Sequence, residues 1–104
     1  MTGKIRLITP GEMLLKDWLE PLELSQNKLA RELKVPPQRV NSIVKGELRI
    51  TPDMALRLGR YFNMTPQFWM NLQQRYDLEK AKDEIWEEIE RGVIPRPADE
   101  TVAA

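Results

Sequence analysis

The sequence predicts an all-α fold of five or six short helices joined by brief turns, and three observations support this prediction. First, Thr51-Pro52 and Thr65-Pro66 each combine an N-cap hydroxyl with a residue suited to the first helical position. Second, the apolar residues after such starts are spaced for one face of a helix. Third, strand patterns are scarce, and the single strand candidate is "IRLI" at residues 5–8.

The first two helices are predicted from their apolar spacing and their boundary residues. A helix over about residues 10–20 ends at Pro21, because proline disrupts a helix interior. Ser25 is a suitable N-cap for a second helix over residues 26–33. Its inward face consists of apolar residues, namely Leu29, Ala30 and Leu33.

The third predicted helix covers residues 37–45 and has two chemically different faces. Pro36-Pro37 open it, and Gly46 supplies a left-handed position at its end. At about 100° per residue, its apolar side chains cluster on one side. This inner side consists of Val40, Ile43 and Val44. The outer side consists of Gln38, Asn41, Ser42 and Lys45, with Arg39 on the flank.

Two further helices follow the threonine–proline starts. The helix after Thr51 is predicted to be mostly internal through Met54, Leu56 and Leu58 with Tyr61 and Phe62. The helix after Thr65 carries Phe68, Trp69, Leu72 and Tyr76, which are predicted to pack the core, although part of this segment is also a candidate dimer seam. Near Tyr76-Asp77 this helix either breaks or continues.

The C-terminal part is predicted to be an amphipathic helix with an acidic outer face. Ile85, Trp86 and Ile89 give it more large apolar side chains than an isolated terminal helix needs. They are therefore expected either to close the core or to contact a second chain. The predicted organisation is an extended segment at 1–9, a helical domain at 10–76, the amphipathic helix at 77–92 and a disordered tail at 93–104.

The composition excludes several classes of function. The chain has no cysteine and no histidine, so disulfides, thiolate or imidazole metal sites and Ser-His-Asp catalysis are impossible. The carboxylates Glu84, Glu87 and Glu88 are best explained as a solvated helix face. No cofactor site is recognisable, and we predict that the chain is not an enzyme. No apolar run approaches the roughly 20 residues of a membrane span or forms a signal peptide, so a soluble cytoplasmic protein is expected.

The charge is balanced overall but unevenly distributed. The net charge is zero, yet residues 1–60 carry +4 and residues 61–104 carry −4. Within residues 25–50, six basic side chains stand against two acidic ones. Binding to nucleic acid depends on the local potential, so this segment is a candidate DNA-binding surface.

The two helices at 26–33 and 37–45 have the pattern of a helix-turn-helix. The short connection "KVPP" forces a steep angle between them, and the second helix presents amides, a hydroxyl and cations outward. Those are the side chains that contact base edges and phosphates. Similar helix pairs also occur in protein-interaction modules that do not bind DNA. The pattern is therefore consistent with either a DNA-binding domain or a protein-interaction module.

One set of residues within about 11–65 matches a known pattern, namely Ser25-Gln26, Leu29-Ala30, Leu33, Val35, Val40, Ile43 and Gly46. In these residues the chain resembles the lambda-repressor-like (XRE) helix-turn-helix family. The family usually has glycine where Lys34 stands. A lysine in the left-handed conformation costs about 1 kcal/mol.

A narrower resemblance covers about residues 8–80. "TPGEMLL" before the first helix and "TPQFWMNLQQRYDL" near residue 70 resemble the HigA-type antitoxins. This resemblance implies a homodimeric repressor that binds palindromic operator DNA and neutralises a HigB-type toxin, an mRNA-cleaving enzyme. A stand-alone XRE repressor without a toxin is the alternative within regulation.

The resemblance also implies which residues contact DNA, which would place the protein at the nucleoid. Gln26 is expected on a phosphate, and Arg39 is expected to bind a guanine with two hydrogen bonds. The complete predicted set is Gln26, Gln38, Arg39, Asn41, Ser42 and Lys45, with Lys45 on phosphate. Arg49 and Thr51 are further candidates for backbone contacts.

Overall fold

The computed structural model describes residues 7–97, and within that range every regular element is helical. Leu7 and Ile8 are not in a strand, and the other half of the strand candidate lies outside the described residues. The all-α prediction is confirmed. The elements are α1 (Pro10–Met13), continuing as a π-helical segment (Leu14–Leu19), α2 (Gln26–Leu33), α3 (Pro37–Val44), α4 (Pro52–Phe62) and α5 (Pro66–Gly92).

Hydroxyl caps start four of these helices, as the sequence indicated for three of them. Each cap oxygen accepts a hydrogen bond from the backbone N–H three residues later, at 3.0–3.3 Å. Proline follows three of the four caps at the first helical position, where its missing N–H costs nothing. The caps are Thr9, Ser25, Thr51 and Thr65.

The first helix is wider than predicted. Beyond Met13, the backbone bonds span five residues, for example from Glu20 N–H to Leu15 O at 2.9 Å. This π-helical geometry brings residues five apart onto the same face. Leu14 and Leu19 are therefore both buried, at 0% and 1% exposure.

The core gathers apolar side chains from the π-helical segment and from α2 to α5, and Trp69 of α5 is its largest fully buried side chain. Trp69 is fully buried, and its ring centroid lies 5.4 Å from that of Trp18 and 5.0 Å from that of Phe68. Phe62 of α4 completes the cluster, 4.9 Å from Trp18. The predicted core position of Trp69 is confirmed. Aromatic pairs at these distances add to the stabilisation from burial alone.

One predicted core residue is misplaced, because Leu56 is 61% exposed. It lies two residues from both Met54 and Leu58, which places it about 200° around the helix from each of them. Ala55 and Gly59 occupy the inner face instead. A Cβ atom on Gly59 would come within 2.6 Å of the Met64 carbonyl oxygen, so this close packing requires glycine.

Helix α5 runs without a break from Pro66 to Gly92, through the position where a break was an alternative. The predicted boundary between residues 10–76 and 77–92 therefore falls inside one helix. Ile85 and Trp86 are 45% and 49% exposed, so they do not close the core. None of the helices within residues 7–97 combines the length and apolar character needed to cross a membrane.

Candidate nucleic-acid interface

Helix α3 presents its polar face to solvent and buries its apolar face. Val40 and Ile43 are 0% and 1% exposed, as predicted, and Val44 packs partly against the same core. The side chains of Gln38, Arg39 and Lys45 are exposed, whereas those of Asn41 and Ser42 are half-buried. The helix contains no acidic residue that would repel a phosphate.

Gly11 holds α3 from behind through direct backbone contact. This buried residue of α1 packs so closely that a Cβ atom on it would lie 1.7 Å from the Ile43 carbonyl oxygen. Gly46 then ends the helix with φ +82°, in the left-handed region where glycine is favoured. Gly11 thus allows α3 to pack closely on α1, and Gly46 determines where α3 ends. The predicted role of Gly46 is confirmed.

The turn between α2 and α3 adopts the left-handed geometry despite its lysine. Lys34 has φ 64° and ψ 41°. The N–H of Val35 donates to the Ala30 carbonyl at 3.0 Å, which closes the end of α2. The Nη1 atom of Arg57 donates to the Leu33 carbonyl at 2.8 Å and braces the same turn from α4. These bonds offset the cost of placing a lysine there.

A hydrogen bond joins the two helices of the motif at the predicted surface. The Nδ2 atom of Asn41 donates to the Oε1 atom of Gln26 at 2.6 Å. The acceptor end of Gln26 is thus occupied, and its two N–H donors are left for an acceptor outside the domain. Phosphate oxygens accept only, so this orientation suits the predicted phosphate contact.

The surface around α3 is positively charged. Lys28, Arg31 and Lys34 on α2 and its turn are exposed, as are Arg39 and Lys45. Arg49 differs, because its guanidinium forms an ion pair with Asp77 of α5. The candidate backbone contact of Arg49 stays a prediction, because its side chain is 57% exposed beside α5.

Asp53 is an anion close to this basic surface. A hydrogen bond from the Arg57 guanidinium holds the pKa of Asp53 below its ordinary value, and desolvation opposes that effect. The charges of Arg57 and Arg39 lower the same pKa further. The Asp53 carboxylate therefore stays ionised and helps to keep Arg57 against the helix-turn-helix turn.

Gln73 is a structural residue that the sequence interpretation missed. It is 3% exposed, and its Oε1 atom accepts a hydrogen bond from the Ile50 backbone N–H at 2.7 Å. Its Nε2 atom donates to Asp77 at 3.0 Å. Gln73 thus holds the segment after α3 against α5. The available signal was its position on the otherwise apolar face of Trp69, Leu72 and Tyr76.

Comparisons with known proteins agree with this geometry. A helix-turn-helix family model matches residues 15–69. A Pseudomonas aeruginosa structure described as antitoxin HigA with the higBA promoter is 44% identical, has a TM-score of 0.86 and covers 88% of this chain and 100% of that one. The chain belongs to the HigA-type antitoxins of the XRE helix-turn-helix family. This family consists of DNA-binding regulators and is not a class of enzymes.

Two more relatives described as antitoxins extend the comparison. Antitoxin HigA-1 of Vibrio cholerae is 32% identical over 85 residues, which are 82% of this chain and 80% of that protein. A structure described as antitoxin GraA in complex with its operator is 36% identical, with a TM-score of 0.84, and covers 94% of this chain and 99% of that one. The resemblance inferred from the sequence is confirmed.

Proposed function

We propose that this HigA-family chain is the antitoxin of a toxin–antitoxin module. As a homodimer, it represses its own operon by binding a palindromic operator at the nucleoid, and it neutralises an mRNA-cleaving HigB-type toxin. The observation that carries the DNA-binding part is the exposed polar face of α3, anchored by the buried Val40 and Ile43. The toxin-binding part is supported by family membership and by the relatives described as antitoxins.

In this mechanism, α3 enters the major groove, and the exposed or half-buried side chains of its outer face contact base edges. Arg39 donates two hydrogen bonds to one guanine, and Gln38 and Ser42 contact neighbouring bases. Each good bidentate pair discriminates against the wrong base by about 1–3 kcal/mol. Asn41 lies at the edge of this surface, since its amide already binds Gln26.

Two other residues position the helix rather than read the sequence. The Gln26 amide donates to a phosphate near the start of α2, and the exposed Lys45 neutralises a second phosphate at the end of α3. Removing the Lys45 cation should reduce the slope of log affinity against log salt concentration by about 0.9, because DNA binding then releases one fewer counterion. Sequence-reading and phosphate-binding residues can therefore be separated by experiment.

A fluorescence-anisotropy titration with DNA from upstream of the chain's own coding region tests the DNA-binding part. We expect Arg39→Ala to weaken operator binding at least tenfold while leaving binding to unrelated DNA almost unchanged. Lys45→Ala should weaken both equally and reduce the salt slope. Arg91→Ala, which removes an exposed cation at the far end of α5, is the matched control. Unchanged operator affinity of Arg39→Ala would show that the base-reading assignment is wrong.

A growth assay tests the toxin-binding part independently of DNA. The gene product encoded beside this chain is expressed alone and then together with it. We expect growth arrest and mRNA cleavage in the first case, rescue in the second and co-purification of the two proteins. Operator binding without any toxic neighbour would instead identify a stand-alone repressor. Failure of both assays would leave a protein-interaction module.

A further inference from the structure

The segment that follows α3 is fixed to both of its neighbouring helices. The backbone N–H groups of residues 47 and 48 donate to the Ser42 carbonyl at 2.9 and 3.2 Å, so the chain folds back on the last turn of α3. Ile50 is fully buried, and its N–H donates to the Oε1 atom of Gln73 on α5 at 2.7 Å. Arg49 lies between these two anchors. Its backbone is therefore held beside the end of α3, whereas its side chain is 57% exposed.

The Arg49 guanidinium has donors to spare beyond its ion pair. Its Nη2 atom donates to the Oδ2 atom of Asp77 on α5, a residue whose side chain is 41% exposed. A guanidinium has five N–H donors, so this contact leaves donors for a second acceptor. The planar group also matches the oxygens of a phosphate, which it binds with two parallel hydrogen bonds. Arg49 thus has the chemistry that a phosphate contact beside α3 requires.

The two oxygens of Asp77 have different partners. The Oδ1 atom accepts a hydrogen bond from the Nε2 atom of Gln73 at 3.0 Å, and the Oδ2 atom accepts from Arg49. Gln73 is only 3% exposed, and the Ile50 N–H holds its other end. The Asp77 carboxylate therefore keeps its position and one hydrogen bond when Arg49 leaves it. Only the side chain of Arg49 has to move for the ion pair to break.

We infer that Asp77 is a positioning residue for DNA binding: it holds the Arg49 guanidinium in the free protein and releases it to a phosphate of the operator. The inference rests on the DNA binding of the proposed function and adds a residue of α5 that acts on binding through Arg49. An exposed ion pair contributes little to stability, so it opposes the release only weakly. Asp77 therefore lowers operator affinity by the strength of the ion pair that has to break.

Salt acts on both partners of Arg49. It weakens the contact with phosphate, because that contact displaces a counterion from the DNA. It also screens the ion pair with Asp77, which competes with the phosphate contact. The two effects oppose each other. Arg49 should therefore contribute less to the salt slope than the value of about 0.9 expected for an unpaired cation such as the exposed Lys45.

Asp77→Asn is a nearly isosteric test of this exchange. The asparagine Oδ1 atom still accepts from Gln73, whereas its Nδ2 atom only donates and cannot hold Arg49. In fluorescence-anisotropy titrations of the full chain with operator DNA, this variant should bind about two- to fivefold more tightly than the wild type, because no ion pair has to break. Its salt slope should also be steeper than that of the wild type. Circular dichroism of the variant should match that of the wild type.

Arg49→Ala completes a double-mutant cycle with Asp77→Asn. Alone, it should weaken operator binding about fivefold and change the salt slope by less than about 0.9. In the Asp77→Asn background, it should weaken binding about tenfold or more and reduce the salt slope by about 0.9. A role of Asp77 in stability alone would not make the effect of Asp77→Asn on operator affinity depend on Arg49.

Glu47→Gln is the matched control, because it removes an exposed carboxylate two residues from Arg49 and leaves the ion pair with Asp77 intact. Its effect on operator affinity should be the same with and without Arg49. In the Arg49→Ala background, the effect of Asp77→Asn should be no larger than that of Glu47→Gln.

Two results would overturn the exchange. Weaker operator binding by Asp77→Asn would show that the carboxylate holds Arg49 in place within the complex. Unchanged operator binding by Arg49→Ala would show that Arg49 does not reach a phosphate. In both cases the wild type still binds the operator, so the proposed function survives. A wild type that does not bind the operator would refute the DNA-binding part of the proposed function and the exchange with it.

Discussion

The outer face of α3 and the second half of α5 are both exposed helical surfaces, but the domain supports them very differently. Behind α3, Gly11 makes backbone contact, and Gln73 holds Ile50 in the following segment. Residues 77–92 of α5 are almost entirely exposed. The chemistry differs too, because α3 lacks acidic residues whereas residues 83–90 contain five.

This difference shows what each surface requires. Side chains that read base edges must be held at fixed positions, so their helix needs rigid support from neighbouring residues. The second half of α5 makes few contacts with the rest of the chain, so the fold does not depend on how its side chains are held. Substitutions behind α3 should therefore affect folding and DNA binding together, whereas substitutions at the end of α5 should not affect the fold.

The largest difference in stability is expected between two glycine variants, one at Gly11 behind α3 and one at Gly92 at the end of α5. Gly11→Ala places a Cβ atom against the Ile43 backbone and should lower the free energy of unfolding by about 3 kcal/mol. Gly92→Ala, where no neighbouring atom lies within 4 Å, should change it by less than about 0.5 kcal/mol. Urea denaturation measures both. Equal stabilities of the two variants would contradict the close packing of α1 on α3.

A smaller loss of stability is expected when Gln73, whose side-chain amide is buried, is substituted. Gln73→Met keeps a similar volume but leaves the Ile50 N–H without its acceptor, which should cost about 2 kcal/mol. Gln67→Met, at an exposed position of the same helix, should stay within about 0.5 kcal/mol of the wild type. Thermal denaturation compares the two. An equal loss of stability in both variants would show that the hydrogen bond from Ile50 to Gln73 does not stabilise the fold.

The turn before α3 should become more stable when its strain is removed. Lys34→Gly allows the same left-handed backbone at lower cost and should raise the free energy of unfolding by about 1 kcal/mol. Asn63→Gly at the end of α4 has nearly the same backbone angles, but asparagine tolerates them better, so its gain should be smaller. A destabilised Lys34→Gly variant would show that the lysine side chain stabilises the turn.

The smallest effect is expected from the pH dependence of Asp53. Arg57 lowers the pKa of Asp53 from its ordinary value of 3.8, so its ionised form stabilises the fold. That contribution is fully present above the ordinary pKa and disappears as the pH falls through the lowered one. Urea denaturation at several pH values should therefore show wild type and Asp53→Asn differing at neutral pH and converging in strong acid. A constant difference would contradict this linkage.

Most of the secondary structure could be predicted from the sequence because its signals are local. Hydroxyl caps, first-turn prolines and the left-handed Gly46 depend on residues within one turn of each boundary. The π-helical widening at Leu14–Leu19 could not be predicted, since it depends on burying both leucines in the assembled core. Leu56 was misassigned because helix position, rather than hydrophobicity alone, determines burial.

The candidate interface was predictable only in part. The inner and outer sides of α3 follow from its periodicity. Val40 and Ile43 are buried and Gln38 and Lys45 are exposed as predicted, whereas Asn41 and Ser42 on the outer side are half-buried. The bond from Asn41 to Gln26 and the bracing by Arg57 join residues 15 and 24 positions apart, so no local pattern indicates them. Which bases the exposed side chains contact is a property of the DNA complex, and the assigned contacts stay predictions.

NMR of the side-chain amides tests the central claim most directly, since glutamine or asparagine lies on α2, on α3 and, away from both, at the start of α5. Adding operator DNA to the wild-type chain should shift the amide signals of Gln26, Gln38 and Asn41. The signal of Gln67 on α5 should not move. Large shifts of Gln67 with unchanged Gln38 and Asn41 signals would show that DNA binds elsewhere and that the outer face of α3 is not the recognition surface.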